Sequence, residues 1–216
     1  MLSERTLPVA PGAAAAKLLA EGAAGLGMAK LPWSKAQLQF RDRVNFLRRA
    51  EGDEWPDLSD RALARTATDW LAPFLDGKTA LSQVVADDLA AALDVLVPWN
   101  LRQRLNAEAP THFMAPSGSN VPIDYEGEEG PKLAIRVQEL FGLAVHPVIA
   151  RGHVPLLIEL LSPAHRPVQV TRDLPGFWRG SYKDVRSDLR GRYPKHPWPD
   201  DPLTVPATRR AKPRGG

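Results

Sequence analysis

Hydrophobic residues in the first half of this chain recur at helical spacing. Ser34-Lys35-Ala36-Gln37 reads as a capping box: Ser34 accepts from the third helical amide and Gln37 reaches back. Trp33 before the cap and Leu38 behind it predict a hydrophobic staple, and Phe40, Val44 and Leu47 continue the apolar stripe. A second helix is predicted from Ser59, with Leu63, Ala67, Trp70 and Phe74 behind it. A third carries Leu89, Leu93 and Leu96 and stops before Pro98. Asn100 is placed to cap a short fourth holding Leu101 and Leu105. Together these predict a helical bundle over residues 1–108.

The period changes near Pro110. His112 to Ala115 and Val121 to Tyr125 are β-prone, separated by the turn Pro116-Ser117-Gly118-Ser119. An acidic, glycine-containing turn, Glu126 to Gly130, follows. Leu133, Ile135 and Val137 then alternate, as in a half-buried strand or a helix continuing through Leu140. The clearest hairpin runs from Val154 to Leu161, turns over Ser162 to Pro167 and returns from Val168 to Arg172. Short strands with turns between them predict a small barrel over residues 109–174.

Residues 175–216 return to helix and then extend. Trp178, Tyr182, Val185 and Leu189 form one apolar stripe. Arg179, Lys183, Arg186 and Arg190 repeat that spacing one residue over, roughly 100° around the helix. They predict a ladder of cations on one flank, which suits either a solvated face or a phosphate track. Prolines 194, 197, 199, 202, 206 and 213 make the end extended or disordered.

Charge sharpens this picture. The net charge of +3 hides +6 over residues 172–216 against −3 over residues 1–171. Arginine outnumbers lysine 20 to 8, which favours forked contacts to phosphate or carboxylate. With 44% hydrophobic and 25% charged residues, a disordered chain, a collagen and a coiled-coil rod are excluded. The absence of cysteine excludes a disulfide scaffold, thiol catalysis and Cys-ligated metal, and fits a reducing compartment. The apolar run Ala13 to Leu26 is too short for a membrane span or leader and is broken by Lys17 and Glu21, so a cytoplasmic location without membrane contact is expected.

Catalytic patterns are missing. The sequence holds no phosphate-binding G-x-x-x-x-G-K-[ST] loop, no G-x-G-x-x-G, no G-x-S-x-G and no H-E-x-x-H. Histidines 112, 146, 153, 165 and 196 lack metal-ligand spacing, so no metal is expected. Glu126, Glu128 and Glu129 read as a solvated turn, and Asp87-Asp88 as an exposed helix face. The positive signal is for nucleic acid: cations interleaved with Phe177, Trp178, Tyr182, Tyr193 and Trp198 resemble the groove-and-ring arrangement that holds single strands. Trp178 and Tyr182 also lie on the apolar stripe and fit core positions.

Longer blocks carry a family likeness. Leu161-Ser162-Pro163-Ala164-His165-Arg166-Pro167-Val168-Gln169-Val170-Thr171-Arg172, Phe177-Trp178 and Gly191-Arg192-Tyr193-Pro194-Lys195-His196-Pro197-Trp198-Pro199 resemble the C-terminal end of HrpB-type bacterial ATP-dependent helicases, DEAH-box relatives of superfamily 2. Leu31-Pro32-Trp33-Ser34, Trp55-Pro56-Asp57-Leu58-Ser59, Trp70-Leu71-Ala72-Pro73-Phe74 and Ala109-Pro110-Thr111-His112 match in the same order. The likeness runs from about Leu18 to Lys212. By that resemblance the chain looks like the C-terminal third of such a helicase, without its phosphate loop, DExH motif or arginine finger. ATP and magnesium would then belong only to the full-length protein, and this chain alone would be neither an enzyme nor a cofactor carrier. The resemblance implies an α+β fold: helices, a central OB-like β-barrel, and a C-terminal basic helix with a proline-rich tail.

The expected function is a non-catalytic region that binds single-stranded nucleic acid, with RNA the expected strand, beside the helicase motor domains. Arg166, Gln169, Thr171 and Arg172 are expected at the barrel edge facing the strand. Arg179, Lys183, Arg186, Arg190, Arg192 and Lys195 are expected on phosphates. The alternative is a docking module whose Trp198 and Pro-Lys-His-Pro-Trp-Pro run pack on the motor domains or a protein partner.

Overall fold

The computed structural model describes residues 10–127 and 129–210, so Glu128 and Pro213 of the sequence reading lie outside the described residues. Two compact units divide between Leu105 and Asn106.

In the first unit, α1 (Ala13–Leu26) buries Ala16, Ala20 and Ala23, small side chains that let it approach its neighbours closely. The capping box forms at the start of α2 (Lys35–Glu51): the Gln37 amide donates to Ser34 Oγ at 3.3 Å and the Ser34 amide to Gln37 Oε1 at 2.8 Å. Val44 and Leu47 are fully buried. Trp33 stacks on buried Trp70, centroids 6.3 Å apart, with the Arg41 guanidinium 4.6 Å from its ring, while the predicted staple partner Leu38 is 42% exposed. A large ring gains more from another indole and a cation than from one exposed leucine.

The helix predicted from Ser59 breaks into α3 (Asp60–Arg65), α4 (Ala67–Trp70) and a 3₁₀ turn, Ala72–Phe74. Thr66 donates its hydroxyl back to the Ala62 carbonyl at 3.2 Å, and Pro73 has no amide to continue the ladder. Leu63, Ala67 and Trp70 are buried, whereas Phe74 is only half-buried. Helix α5 (Ala86–Leu96) buries Leu89 and Leu93. Asp88 is no idle surface charge: it accepts the Val85 amide at 2.8 Å and pairs with Lys78 at 3.0 Å. Helix α6 (Trp99–Glu108) starts directly after Pro98, whose carbonyl takes the Leu101 and Arg102 amides. Asn100 therefore lies inside the helix and does not cap it.

The second unit holds the strands. β1 (His112–Met114) and β2 (Asn120–Pro122) form an antiparallel hairpin across a turn with Gly118 at φ 78°. Next come β3 (Lys132–Arg136), β4 (Val148–Ile149), β5 (Val154–Pro155), β6 (Leu157–Leu161) and β7 (Pro167–Thr171). Leu133 and Ile135 are buried on a strand, and Val137 opens a 3₁₀ turn, Val137–Glu139. The strand predicted over Val154 to Leu161 breaks at Leu156, whose amide leaves for the Pro147 carbonyl.

The expected OB-like barrel is not present. β3 pairs parallel with β6, and β6 antiparallel with β7, giving the order β3-β6-β7. β1-β2 and β4-β5 are separate two-stranded pieces, and no barrel closes among the described residues. A parallel step needs a long crossover. Here residues 137–156 supply it, and the two-residue strands within them are too short to bridge the sheet edges. The architecture is mixed helix and sheet.

The basic helix is two helices, α7 (Leu174–Arg179) and α8 (Tyr182–Arg192), broken at Gly180 and Ser181. Phe141, Phe177, Trp178 and Tyr182 form an aromatic core with centroid separations of 4.9 to 6.3 Å. Trp178 and Tyr182 are thus packing residues. Residues 193–210 form neither helix nor strand, turn at 194–195 and 202–203, and are docked. Tyr182 donates its hydroxyl to the Pro199 carbonyl at 3.0 Å, Gly142 its amide to the Pro202 carbonyl at 3.0 Å, and Thr208 its amide to the Gln138 carbonyl at 3.0 Å. Two proline carbonyls of the tail accept donors from the body of the unit, and one tail amide donates back to it.

Candidate functional site

The turn into α7 is built by local polar contacts. Asp173 caps α7, accepting the Gly176 amide at 2.9 Å. Thr171 orders the same turn, with its hydroxyl donating to the Asp173 carbonyl and accepting the Asp173 amide. His146 accepts the Leu174 amide at Nδ1 and donates from Nε2 to the Leu156 carbonyl at 2.8 Å, so both ring nitrogens are engaged structurally.

Beyond that turn, Arg179 of α7 and Lys183, Arg186 and Arg190 of α8 line one cleft of about 500 Å³, floored by Trp178 and Tyr182. The helical spacing of the ladder survives the Gly180 break because α8 resumes with nearly the same apolar face inward. Arg179, Lys183 and Arg190 are exposed and have no carboxylate partner among the described residues. Arg186 is paired with Asp200 of the docked tail. Burial pushes the Tyr182 hydroxyl well above the ordinary phenol range, Arg186 opposing and Asp200 and Asp201 adding to it, so it stays a donor to Pro199.

The remaining sequence candidates lie elsewhere. Gln169 and Thr171 stand on β7, paired with Leu160 and Ile158 of β6. Arg166 projects from the turn before β7, and Arg172 donates to the Glu129 carbonyl. Arg192 pairs with Asp188 one turn back at 2.8 Å, and Lys195 is exposed on the tail. None of these six lines the cleft. Tyr193 and Trp198 are half-buried, and Trp198 Nε1 donates to the Tyr193 carbonyl at 2.9 Å.

A second polar centre escaped the sequence reading. Glu139 is buried and accepts the hydroxyls of Ser117 and Ser119 and Arg136 Nε at 2.7 Å. Burial works to raise its pKa. The bonds from Ser119, Arg136 and Ser117 outweigh burial and hold the carboxyl below its ordinary value. The contacts tie the β1-β2 turn to the 3₁₀ turn after β3. A Ser-x-Ser turn and an acid twenty residues on carry no local spacing signal. Glu126 and Glu129 are exposed, and no cluster able to hold a metal occurs among the described residues. No helix among those residues is long and apolar enough to cross a membrane.

Residues 70–202 match a family described as ATP-dependent helicase C-terminal. The chain is 43% identical over 187 residues to the ATP-dependent RNA helicase HrpB of Escherichia coli, covering 86% of this chain and 23% of that protein. It superposes on the crystal structure of E. coli DExH-box NTPase HrpB with a TM-score of 0.79 at 42% identity, covering 89% of this chain and 24% of the other. A second crystal structure, of the E. coli DEAH/RHA helicase HrpB, matches with a TM-score of 0.66 at 40% identity over 83% and 23%. The chain thus spans about a quarter of the relatives' length, less than the expected third.

Proposed function

This chain belongs to the HrpB-type ATP-dependent helicase C-terminal family, and on that premise we propose that it is a non-catalytic region that binds single-stranded nucleic acid beside helicase motor domains. The observation that carries the reading is the cleft in which Arg179, Lys183, Arg186 and Arg190 converge. Four cations along one groove follow a phosphodiester backbone and read no sequence. Trp178 and Tyr182 are its floor, too buried to stack on bases, so binding here is electrostatic. The curated relative is named an RNA helicase, which makes RNA the strand to try first. Arg166, Arg172 and Lys195 belong to the outer field that steers the strand.

The test is fluorescence anisotropy of a labelled single-stranded RNA against the folded chain at two salt concentrations. Reversing Arg186 and Arg190 to Glu lowers low-salt affinity on the order of tenfold or more, and flattens the salt dependence by roughly 0.7 in log–log slope per lost phosphate contact. Unchanged affinity and slope would remove the phosphate-track assignment.

One observation favours docking as a second reading: Trp99, at the start of α6, is 73% exposed. Docking through an apolar ring keeps its strength as salt rises. Binding of the motor half that survives high salt and is lost in Trp99→Ala would support it.

A further inference from the structure

The cationic cleft of the free protein already holds an anion of its own. Asp200 lines the same cleft as Arg179, Lys183, Arg186 and Arg190, and its carboxylate is paired with the Arg186 guanidinium. The contact is held from both sides. Pro199, just before Asp200, accepts the Tyr182 hydroxyl, and Pro202, two residues after it, accepts the Gly142 amide. Those anchors fix the tail backbone where Asp200 meets Arg186, without burying the carboxylate: the Asp200 side chain is 92% exposed and that of Arg186 only 21%. The arginine is thus the fixed, half-sheltered partner and the aspartate the replaceable one.

From this arrangement we infer that Arg186 is a seat for one backbone phosphate, and that Asp200 occupies that seat in the free protein as an intramolecular competitor. The inference rests on the nucleic-acid reading of the cleft and adds its regulation. A carboxylate and a phosphodiester offer a guanidinium the same forked pair of oxygens. Lys183 and Arg190, one turn to either side on α8, have no carboxylate partner among the described residues, so an entering strand gains them outright. At Arg186 it must exchange with Asp200. An exposed ion pair is weak, so the exchange tunes affinity and does not block binding. Asp200 thus competes only at Arg186, and a polyanion that engages the whole ladder displaces it.

The experiment compares the full chain with Asp200→Asn and Asp201→Asn, using labelled oligouridylate at two salt concentrations. Both variants remove one negative charge. Among the described residues Asp201 forms no ion pair; it accepts the Leu203 amide and, through its carbonyl, the Thr204 hydroxyl, so it is the control for one lost charge beside the cleft. Asp200→Asn is expected to bind about two- to fivefold more tightly than wild type at low salt, the range of an exposed ion pair. Its salt slope steepens by up to roughly 0.7, one added phosphate contact. Asp201→Asn shows less than half of that gain, and the gain disappears when Arg186→Gln is combined with Asp200→Asn. Wild-type binding with equal gains in the two aspartate variants would overturn the seat and leave the cleft reading standing. No binding by any of the chains, all folded by circular dichroism, would remove the cleft reading and this inference with it.

Discussion

At the residue scale, the second unit is pinned by one buried carboxylate. Glu139 accepts three side-chain donors, two of them hydroxyls from the Ser117-x-Ser119 turn. Glu139→Gln keeps the shape but turns one acceptor oxygen into a donor facing Arg136 or the two serines. Hydrogen bonds to a charged group contribute about 1.5–3 kcal/mol, so the variant should lose stability of that order, read as a lower denaturant midpoint at unchanged slope. The pH dependence has a definite sign. The folded carboxyl titrates below its ordinary value of 4.5, so the unfolded chain binds the proton first as pH falls. The stabilisation is complete above that value and disappears as pH drops through the folded pKa. Wild type should therefore lose stability in that acid window faster than Glu139→Gln, and parallel acid titrations of the two would remove Glu139 from this role. His196 acts in the same direction at milder pH. Burial, helped by Arg136, lowers its pKa below 6.5, so acidification past that value costs stability where the tail is docked.

At the element scale, caps decide where helices begin and interruptions decide where they end. Helix α7 starts on Asp173, whose carboxylate accepts the Gly176 amide. A Cβ at residue 176 would lie 2.2 Å from Asp173 Oδ2. Gly176→Ala must therefore push the cap away, at a cost of about 1 kcal/mol despite alanine's better helix propensity. Thermal melts should show Gly176→Ala and Asp173→Ala destabilised alike, and combining them should add little. Additive losses would mean that the cap is not what Gly176 protects. Two starts were legible in the sequence for the same local reason: Ser34 with Gln37, and Ser59, announce themselves within four residues, whereas Asn100 does not cap α6. The breaks were less so. Thr66 and Pro73 divide a stripe whose apolar spacing reads as continuous, and Gly180 divides another. The parallel β3-β6 pairing was illegible because it joins residues 25 apart through irregular chain, a partnership that no local pattern encodes. The barrel expected by family resemblance does not close, because β1-β2 and β4-β5 do not join the β3-β6-β7 sheet. The cation ladder was legible because its spacing outlived the helix break, whereas Asp200, fourteen residues from Arg186, carries no periodic signal.

At the scale of the whole molecule, four of the C-terminal cations line a cleft that the tail itself completes with Asp200. That the proline-rich end leaves the helix was readable, since proline withholds the amides that a ladder needs, but its turns were not. Its docking was not readable, because the anchors are a phenol, an amide and a carbonyl contributed by distant elements. Removing everything after Arg192 tests whether the tail is structure or appendage. The truncation strips the acceptor from the buried Tyr182 hydroxyl, uncovers the Gly142 amide and frees the Gln138 side chain from His196. A buried donor left unsatisfied costs about 1–3 kcal/mol, and several arise together here. The truncated chain should melt lower by several degrees and bind hydrophobic dye as the aromatic core around Phe141 and Tyr182 opens. Tyr182→Phe is the graded comparison. It deletes the donor and leaves the half-exposed Pro199 carbonyl to water, so its loss should stay near the net value of one hydrogen bond, about 1 kcal/mol. If truncation and Tyr182→Phe cost the same, the tail contributes a single contact. If truncation costs far more, residues 193–210 belong to the fold, and the surface that carries the cations includes the segment that partly neutralises them.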